Sequence, residues 1–239
     1  MQDRGGLVPG PGEPPVHRAR GTPFEGGVTA EAGGNAGPSV TMEAAAPHSF
    51  ACSLKHLPKL QTADGERRNR YLYVAIDRRS RSVHLAVKDN ETEQSAIAFL
   101  REAAAAFPFR LTHVLTDNGS CFTPAFAKVC AALGAAYRPT RPYTPQINGM
   151  VERFHGRVGS EVLGITLSSH RDLEPLLRGF NAAYNARRQR VLKGKTPDQI
   201  VAERLKARRK LANAKPHGRA GPNDIAKARL IAEAAKGVS

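Results

Sequence analysis

Asp117 and Glu152 stand 35 residues apart, each in a setting that suits a carboxylate facing a cleft. Leu111 to Thr116 reads as a buried strand, and Asp117 follows its last residue. An acid at the end of a buried strand presents its carboxylate at the open edge of a sheet, where loops leave room for a ligand. Asn118-Gly119 supplies the sharp exit turn. Glu152 falls on the first turn of a predicted helix, and the Pro/Thr-rich loop before it has the reach to close over a substrate. Two carboxylates brought together repel unless a divalent cation lies between them, and that arrangement serves phosphodiester chemistry. Each residue alone has a plainer explanation. Thr-Asp-Asn-Gly is a common strand-to-turn ending, and an acid in the first turn of a helix is favoured by the helix dipole.

Other residues offer chemistry on weaker patterns. Asp77 ends an apolar run and is a candidate third acid, but as the end of an antiparallel hairpin partner of the first strand it should lie away from the strand end that carries Asp117, where it caps the turn Arg78 to Arg81. His48, Cys52 and His56 recur every four residues, but the span covers a strand and holds no second cysteine, which argues against zinc. His155 lies one helical turn beyond Glu152, where it either contacts phosphate, orients the carboxylate or sits solvated on the helix face. Cys121 beside the acidic turn lacks a His–Asp partner pattern and reads as a packing residue. Arg187, Arg188, Arg190, Lys193 and Lys195 form a cationic cluster suited to phosphates or to a solvated helix face.

The elements that must position these residues follow from the texture of the chain. Residues 1–49 hold ten Gly and seven Pro, a composition that predicts a tail without packed structure. Met42 is an alternative start, and the tail reads as an over-extended or frameshifted lead-in. From Phe50 the pattern predicts strands over 50–55, 71–76, 82–87, 111–116 and 135–138. Helices are predicted after Thr92 to near Pro108, from Pro124 to Gly134, and from about Gly149 to Leu163. Three consecutive strands, then helix, strand, helix, strand, predict an α/β fold, a mixed five-stranded sheet flanked by helices of the RNase H type. Residues 50–165 form that core, 166–213 a basic helical extension completing it, and 214–239 a C-terminal tail.

Charge and cysteine content narrow the partners. The net charge of +15 favours a polyanion, and from Thr166 onward 17 Lys/Arg stand against six Asp/Glu. Nucleic acid is the leading candidate for that partner; a merely basic or ribosome-associated protein is the alternative that charge alone leaves open. Three cysteines without a CxxC pair fit a reducing compartment, so a cytoplasmic, nucleoid-associated location is expected. The pattern predicts no membrane span and no small-molecule substrate.

Val114-Leu-Thr-Asp-Asn-Gly-Ser-Cys-Phe122, together with Thr140-Arg-Pro-Tyr-Thr-Pro-Gln-Ile-Asn-Gly-Met-Val-Glu-Arg-Phe-His155, resembles the DDE integrase core of insertion-sequence transposases and retroviral integrases. The resemblance runs from about Phe50 to Ala212 and is nearest to the IS481-type branch, through Lys55 to Leu60, Tyr71 to Asp77, Phe180 to Asn185, and Gly194 to Pro197. It implies bacterial DNA integration and transposition by phosphodiester hydrolysis and strand transfer, with Asp117 and Glu152 as second and third acids. It implies a two-metal site for Mg²⁺ or Mn²⁺, DNA element ends and target as partners, and a homo-oligomer. Arg141, Asn148, Arg153 and His155, with the 187–195 cluster, are the candidate DNA contacts. The position of the family's first acid is Ser53, whose neutral hydroxyl is a weak ligand, so the resemblance implies impaired activity. A truncated amino terminus, upstream of which the family carries its helix-turn-helix region, would account for that loss. The alternatives are a non-catalytic DNA-binding remnant that associates with intact transposase, and a general RNase H-like nuclease.

Overall fold

Strand β1 (Ser49–His56) runs through the middle of a sheet that grows from it in both directions. β4 (Tyr71–Asp77) pairs with it antiparallel, and β5 (Val83–Lys88) pairs antiparallel with β4. On the other side β6 (His113–Thr116) and then β7 (Ala136–Pro139) run parallel to β1. The order is therefore β5-β4-β1-β6-β7, a mixed five-stranded sheet as the sequence predicts. A two-residue pair, β2 (Leu60–Gln61) with β3 (Arg67–Arg68), lies within the β1–β4 connection and was not anticipated. This computed structural model describes residues 49–58, 60–61, 67–139, 145–165, 169–214 and 216–236, with the backbone path alone at 60–61, 67–68, 145–148 and 170. Apart from Ser49, the expected Gly/Pro-rich tail lies outside the described residues.

Helices cover both faces, which is why β4 is an unbroken apolar run rather than an alternating one. Leu72, Val74 and Ile76 of β4 face a core shared with Val151, Phe154 and Val158 of α3 (Pro145–Glu161) and Leu173 and Leu177 of α4 (His170–Ala186). Tyr73 and Ala75 face the opposite core, with Phe99 and Leu100 of α1 (Glu93–Ala106), Phe126 of α2 (Pro124–Ala132) and Val201 of α5 (Pro197–Ala207). Local signals set the helix starts. The side chains of Thr92, Thr123, Ser169 and Thr196 each accept a backbone N–H in the first turn, and α4 and α5 carry full capping boxes. Gly134, at φ 74°, ends α2 where the sequence places the stop.

Three expectations are corrected. α3 begins at Pro145, four residues before the predicted Gly149, because proline suits the first helical position. Glu152 therefore lies beyond the first turn, where the helix dipole no longer accounts for an acid. The predicted tail 214–239 contains α6 (Pro222–Lys236), which packs along α4. Gly179 permits this approach, since a Cβ there would lie 2.2 Å from Ala228 Cβ and 2.6 Å from the Asp224 carbonyl oxygen. Arg178 donates to Asp224 at 2.9 Å beside the same contact. The extension before α6 is stitched to α1, with the Asn213 side chain donating to the carbonyls of Ala104 and Phe107, both at 3.1 Å.

Candidate active site

Register places the first two residues of the site. Ala51 pairs with Leu115 and Cys52 with Thr116 on parallel strands, so Ser53, midway along β1, and Asp117, just past the end of β6, are neighbours. Side chains alternate along a strand, so both share the sheet face of Ala51 and Leu115, the one covered by α3. From α3, Glu152 and His155 complete the wall. The four line one cleft of about 220 Å³, with Lys55 and Val151 at its sides.

The Asp117 carboxylate is open to the cleft, and its Oδ1 accepts the Gly119 N–H at 3.1 Å. A Cβ at Gly119 would lie 3.1 Å from that oxygen and 3.3 Å from the Phe122 ring, so the turn wants glycine. Desolvation raises the pKa of Asp117 above the usual carboxylate range, although the Gly119 N–H works against it. A cation in the cleft would reverse the sense of that shift. Glu152 is exposed. His155 is only 8% exposed, which excludes the solvated helix-face reading. Burial, with Lys55 nearby, lowers its pKa to about 4, and its Nε2 has no hydrogen-bond partner. The ring is neutral at pH 7, so it cannot hold phosphate by charge.

Asp77 stands elsewhere. It pairs with Phe50, at the start of β1, three residues or about 10 Å along the strand from Ser53. Phe50 and Asp77 also face the opposite core. Asp77 is fully buried, and its Oδ2 accepts the Ser80 N–H at 2.9 Å and the Ser80 hydroxyl at 2.6 Å, while Arg204 of α5 feels its charge. It closes the 78–81 turn and cannot stand in for an acid at Ser53.

The remaining candidates are placed as follows. Cys52 is buried in the core facing α1 and α2, and His56, four residues on, is exposed and 2.8 Å from Glu91; His48 lies outside the described residues. Cys121 is buried and its thiol is pushed up by desolvation, consistent with packing. Among the described residues no group of three His, Cys, Asp or Glu side chains is placed to hold a metal ion. Arg153 is exposed on α3. Arg187 through Lys195 occupy the α4–α5 connection rather than a helix face; Arg187 pairs with Glu161 at 3.1 Å and Lys195 with Glu203 at 2.8 Å. Arg188, Arg190 and Lys193 are exposed. Arg141 and the Asn148 side chain lie outside the described residues. Two cationic residues near the site, Arg81 and Arg157, were not singled out from sequence; the i, i+4 spacing of Arg153 and Arg157 was a readable signal, whereas Arg81 comes close only through the fold.

Comparison with known proteins agrees with this fold. Residues 60–145 and 133–197 match two models, each described as an integrase core domain. The catalytic core domain of BIV integrase superposes with a TM-score of 0.50 at 22% identity, covering 66% of this chain and 97% of that one. A chain of the simian T-cell lymphotropic virus intasome, solved with the PP2A regulatory subunit B56 gamma, shows 29% identity and a TM-score of 0.41 over 48% of this chain and 39% of that chain. This chain therefore spans well under half the length of the intasome protein. It has the fold of an integrase catalytic core, and its residues 60–197 match the integrase core domain family.

Proposed function

We propose that this chain is a DNA transposase or integrase core of the IS481-type insertion-sequence branch, acting on phosphodiester bonds and weakened by Ser53. The observation that carries the reading is the register of β1 on β6, which sets Ser53 beside Asp117 on the face that Glu152 approaches from α3. Its partners are the DNA ends of an element and the target duplex, and it works as a homo-oligomer in the bacterial cytoplasm.

The donor set fits one divalent cation and not two. Mg²⁺ is commonly held by one or two carboxylates, with water and substrate phosphate completing its shell, and Asp117 and Glu152 supply that number. A serine hydroxyl does not replace an acid that would bridge a second ion. When bound, the ion would activate a water or 3′-hydroxyl and neutralise phosphoryl oxygens. The chain's own contributions are distinct. Gly119 fixes the Asp117 carboxylate through its N–H, the neutral His155 ring occupies the cleft wall where it keeps water out, and Lys55 sets a positive charge at the entrance. The substitution at Ser53 also favours a second reading, a non-catalytic DNA-binding partner of intact transposase.

Plasmid nicking and strand transfer with Mg²⁺ or Mn²⁺ separate the two. The native chain should cut weakly, Ser53→Asp should gain about 100-fold or more, and Asp117→Asn in that background should abolish the gain. DNA binding without any gain on Ser53→Asp supports the remnant instead. Efficient cutting by the native chain that Asp77→Asn destroys would overturn the assignment of the acids.

A further inference from the structure

The far flank of α3 carries a second concavity, of about 150 Å³, that shares no residue with the carboxylate cleft. Arg153 and Arg157, one helical turn apart, face it from α3, and Arg81 faces it from the β4–β5 turn. Phe154, Tyr184 and Gln189 form the rest of its lining that matters here, and no Asp or Glu lines it. Three guanidinium groups around a small hollow with no acid in its wall is an unfavourable arrangement unless an anion enters.

We propose that this hollow binds one backbone phosphate of DNA, about one helix diameter or ~10 Å from the carboxylate cleft, so that α3 is gripped on one flank while its other flank faces the reacting bond. Several observations point the same way. None of the three arginines forms an ion pair among the described residues, although Arg187 and Lys195 nearby do. Arg157 lies 5.9 Å from the centre of the Tyr184 ring, within cation–π range, so the ring holds the guanidinium near the hollow. Tyr184 is itself held by an edge contact on Phe154 with ring centres 5.0 Å apart. Arg81 adopts a left-handed backbone, φ 60°, which a non-glycine residue rarely takes and which aims it back at α3 from a turn tied by Arg81 N–H donating to the Asp77 carbonyl at 2.9 Å. Burial disfavours the charge on Arg81, Arg153 and Arg78 add to that cost, and Tyr184 and Asp77 offset it in part. A phosphate would accept from these forks directly and relieve the mutual repulsion of Arg81 and Arg153.

The proposal rests on the reading of the chain as a DNA-acting protein, and it is tested without metal so that the two can fail separately. Binding of a fluorescent 30-base-pair duplex is followed by anisotropy in EDTA across a salt series, for the full chain and for Arg153→Gln, Arg157→Gln and the triple variant with Arg81→Gln. Loss of one phosphate contact should make the slope of log K against log salt less negative by about 1, with affinity down roughly tenfold in the triple variant and Arg157→Lys retaining most of it. Should the triple variant unfold, the two exposed single variants on α3 carry the test. Inorganic phosphate should raise the melting temperature of the full chain more than that of Arg157→Gln. Equal slopes and affinities across the variants overturn the proposal and leave the carboxylate cleft untouched. Absence of any DNA binding by the full chain overturns both readings.

Discussion

Replacing Ser53 by Asp puts a second carboxylate next to Asp117, and its first consequence is for stability. Neighbouring strands lie about 4.8 Å apart, so the new group stands one strand spacing from Asp117 on the same face. Two unit charges at about 5 Å repel by ~3 kcal/mol at an effective dielectric of about 20, and by ~1 kcal/mol in bulk water. Asp117 is open to solvent, which selects the lower end. In EDTA at neutral pH the variant should therefore unfold about 1 kcal/mol more easily than the native chain. Desolvation already raises the pKa of Asp117, and the added charge should raise it further. For an acid so shifted, the penalty is absent below its unfolded pKa, grows as pH rises from there toward the raised folded value and is complete above it, so it should vanish below about pH 4.

A divalent cation should invert the ranking. With ~10 mM Mg²⁺ and a dissociation constant near 1 mM, binding stabilises the fold by ~1.4 kcal/mol, enough to cancel the repulsion. Urea melts with and without Mg²⁺ on the native chain, Ser53→Asp, and Ser53→Asp with Asp117→Asn give the measurement. The single variant should show the largest Mg²⁺ dependence and the double variant little. If the dependence of Ser53→Asp equals that of the native chain, or survives loss of Asp117, the claim that residues 53 and 117 share one ion is refuted.

Other perturbations probe the frame around the site. His155 is held neutral with a pKa of about 4, so its contribution to stability is present above its unfolded pKa of about 6.5 and lost as pH falls toward 4. His155→Gln should flatten the acid limb of the stability profile by up to ~3 kcal/mol relative to the native chain; an unchanged difference between pH 7 and pH 4 would count against burial of the ring. His84, also lowered to about 4, leaves a residual slope in both proteins. Gly179→Ala gains up to ~1 kcal/mol of helix propensity but forces α4 and α6 apart, costing about 1–3 kcal/mol, so net destabilisation with faster amide exchange over 222–236 is expected. Stability equal to or above that of the native chain would show that α6 does not pack there. Asn185 imitates a strand partner for β5, accepting the Val83 N–H at 2.9 Å and donating to its carbonyl at 2.8 Å. Asn185→Ala should cost about 2–3 kcal/mol in urea melts, and a loss below ~0.5 kcal/mol would mean water replaces both bonds.

Much of this was legible in one dimension because the signals are local. The apolar run of β4, the caps at Thr92 and Thr123, the glycine stop after α2 and the Asp117 turn each depend on residues within a few positions of one another. The start of α3 lies earlier than its apolar pattern suggests because Pro145 suits the first helical position. α6 was missed for a different reason: a short amphipathic stretch gains its stability from the α4 surface it covers, and that surface is formed from residues more than 40 positions away.

By itself the sequence determined the strand-ending Asp117, the helix-borne Glu152 and the serine at residue 53, since residue type and spacing along one chain are enough to state them. Only the tertiary structure decided the register and the face on which the acids meet. Parallel pairing of β1 with β6 brings Ser53 to Asp117, and antiparallel pairing with β4 carries Asp77 to the other end and the other face of the sheet. A strand's direction reverses which end its last residue reaches, and its two-residue period assigns the face, so register between distant segments, which no local pattern contains, selects the members of the site.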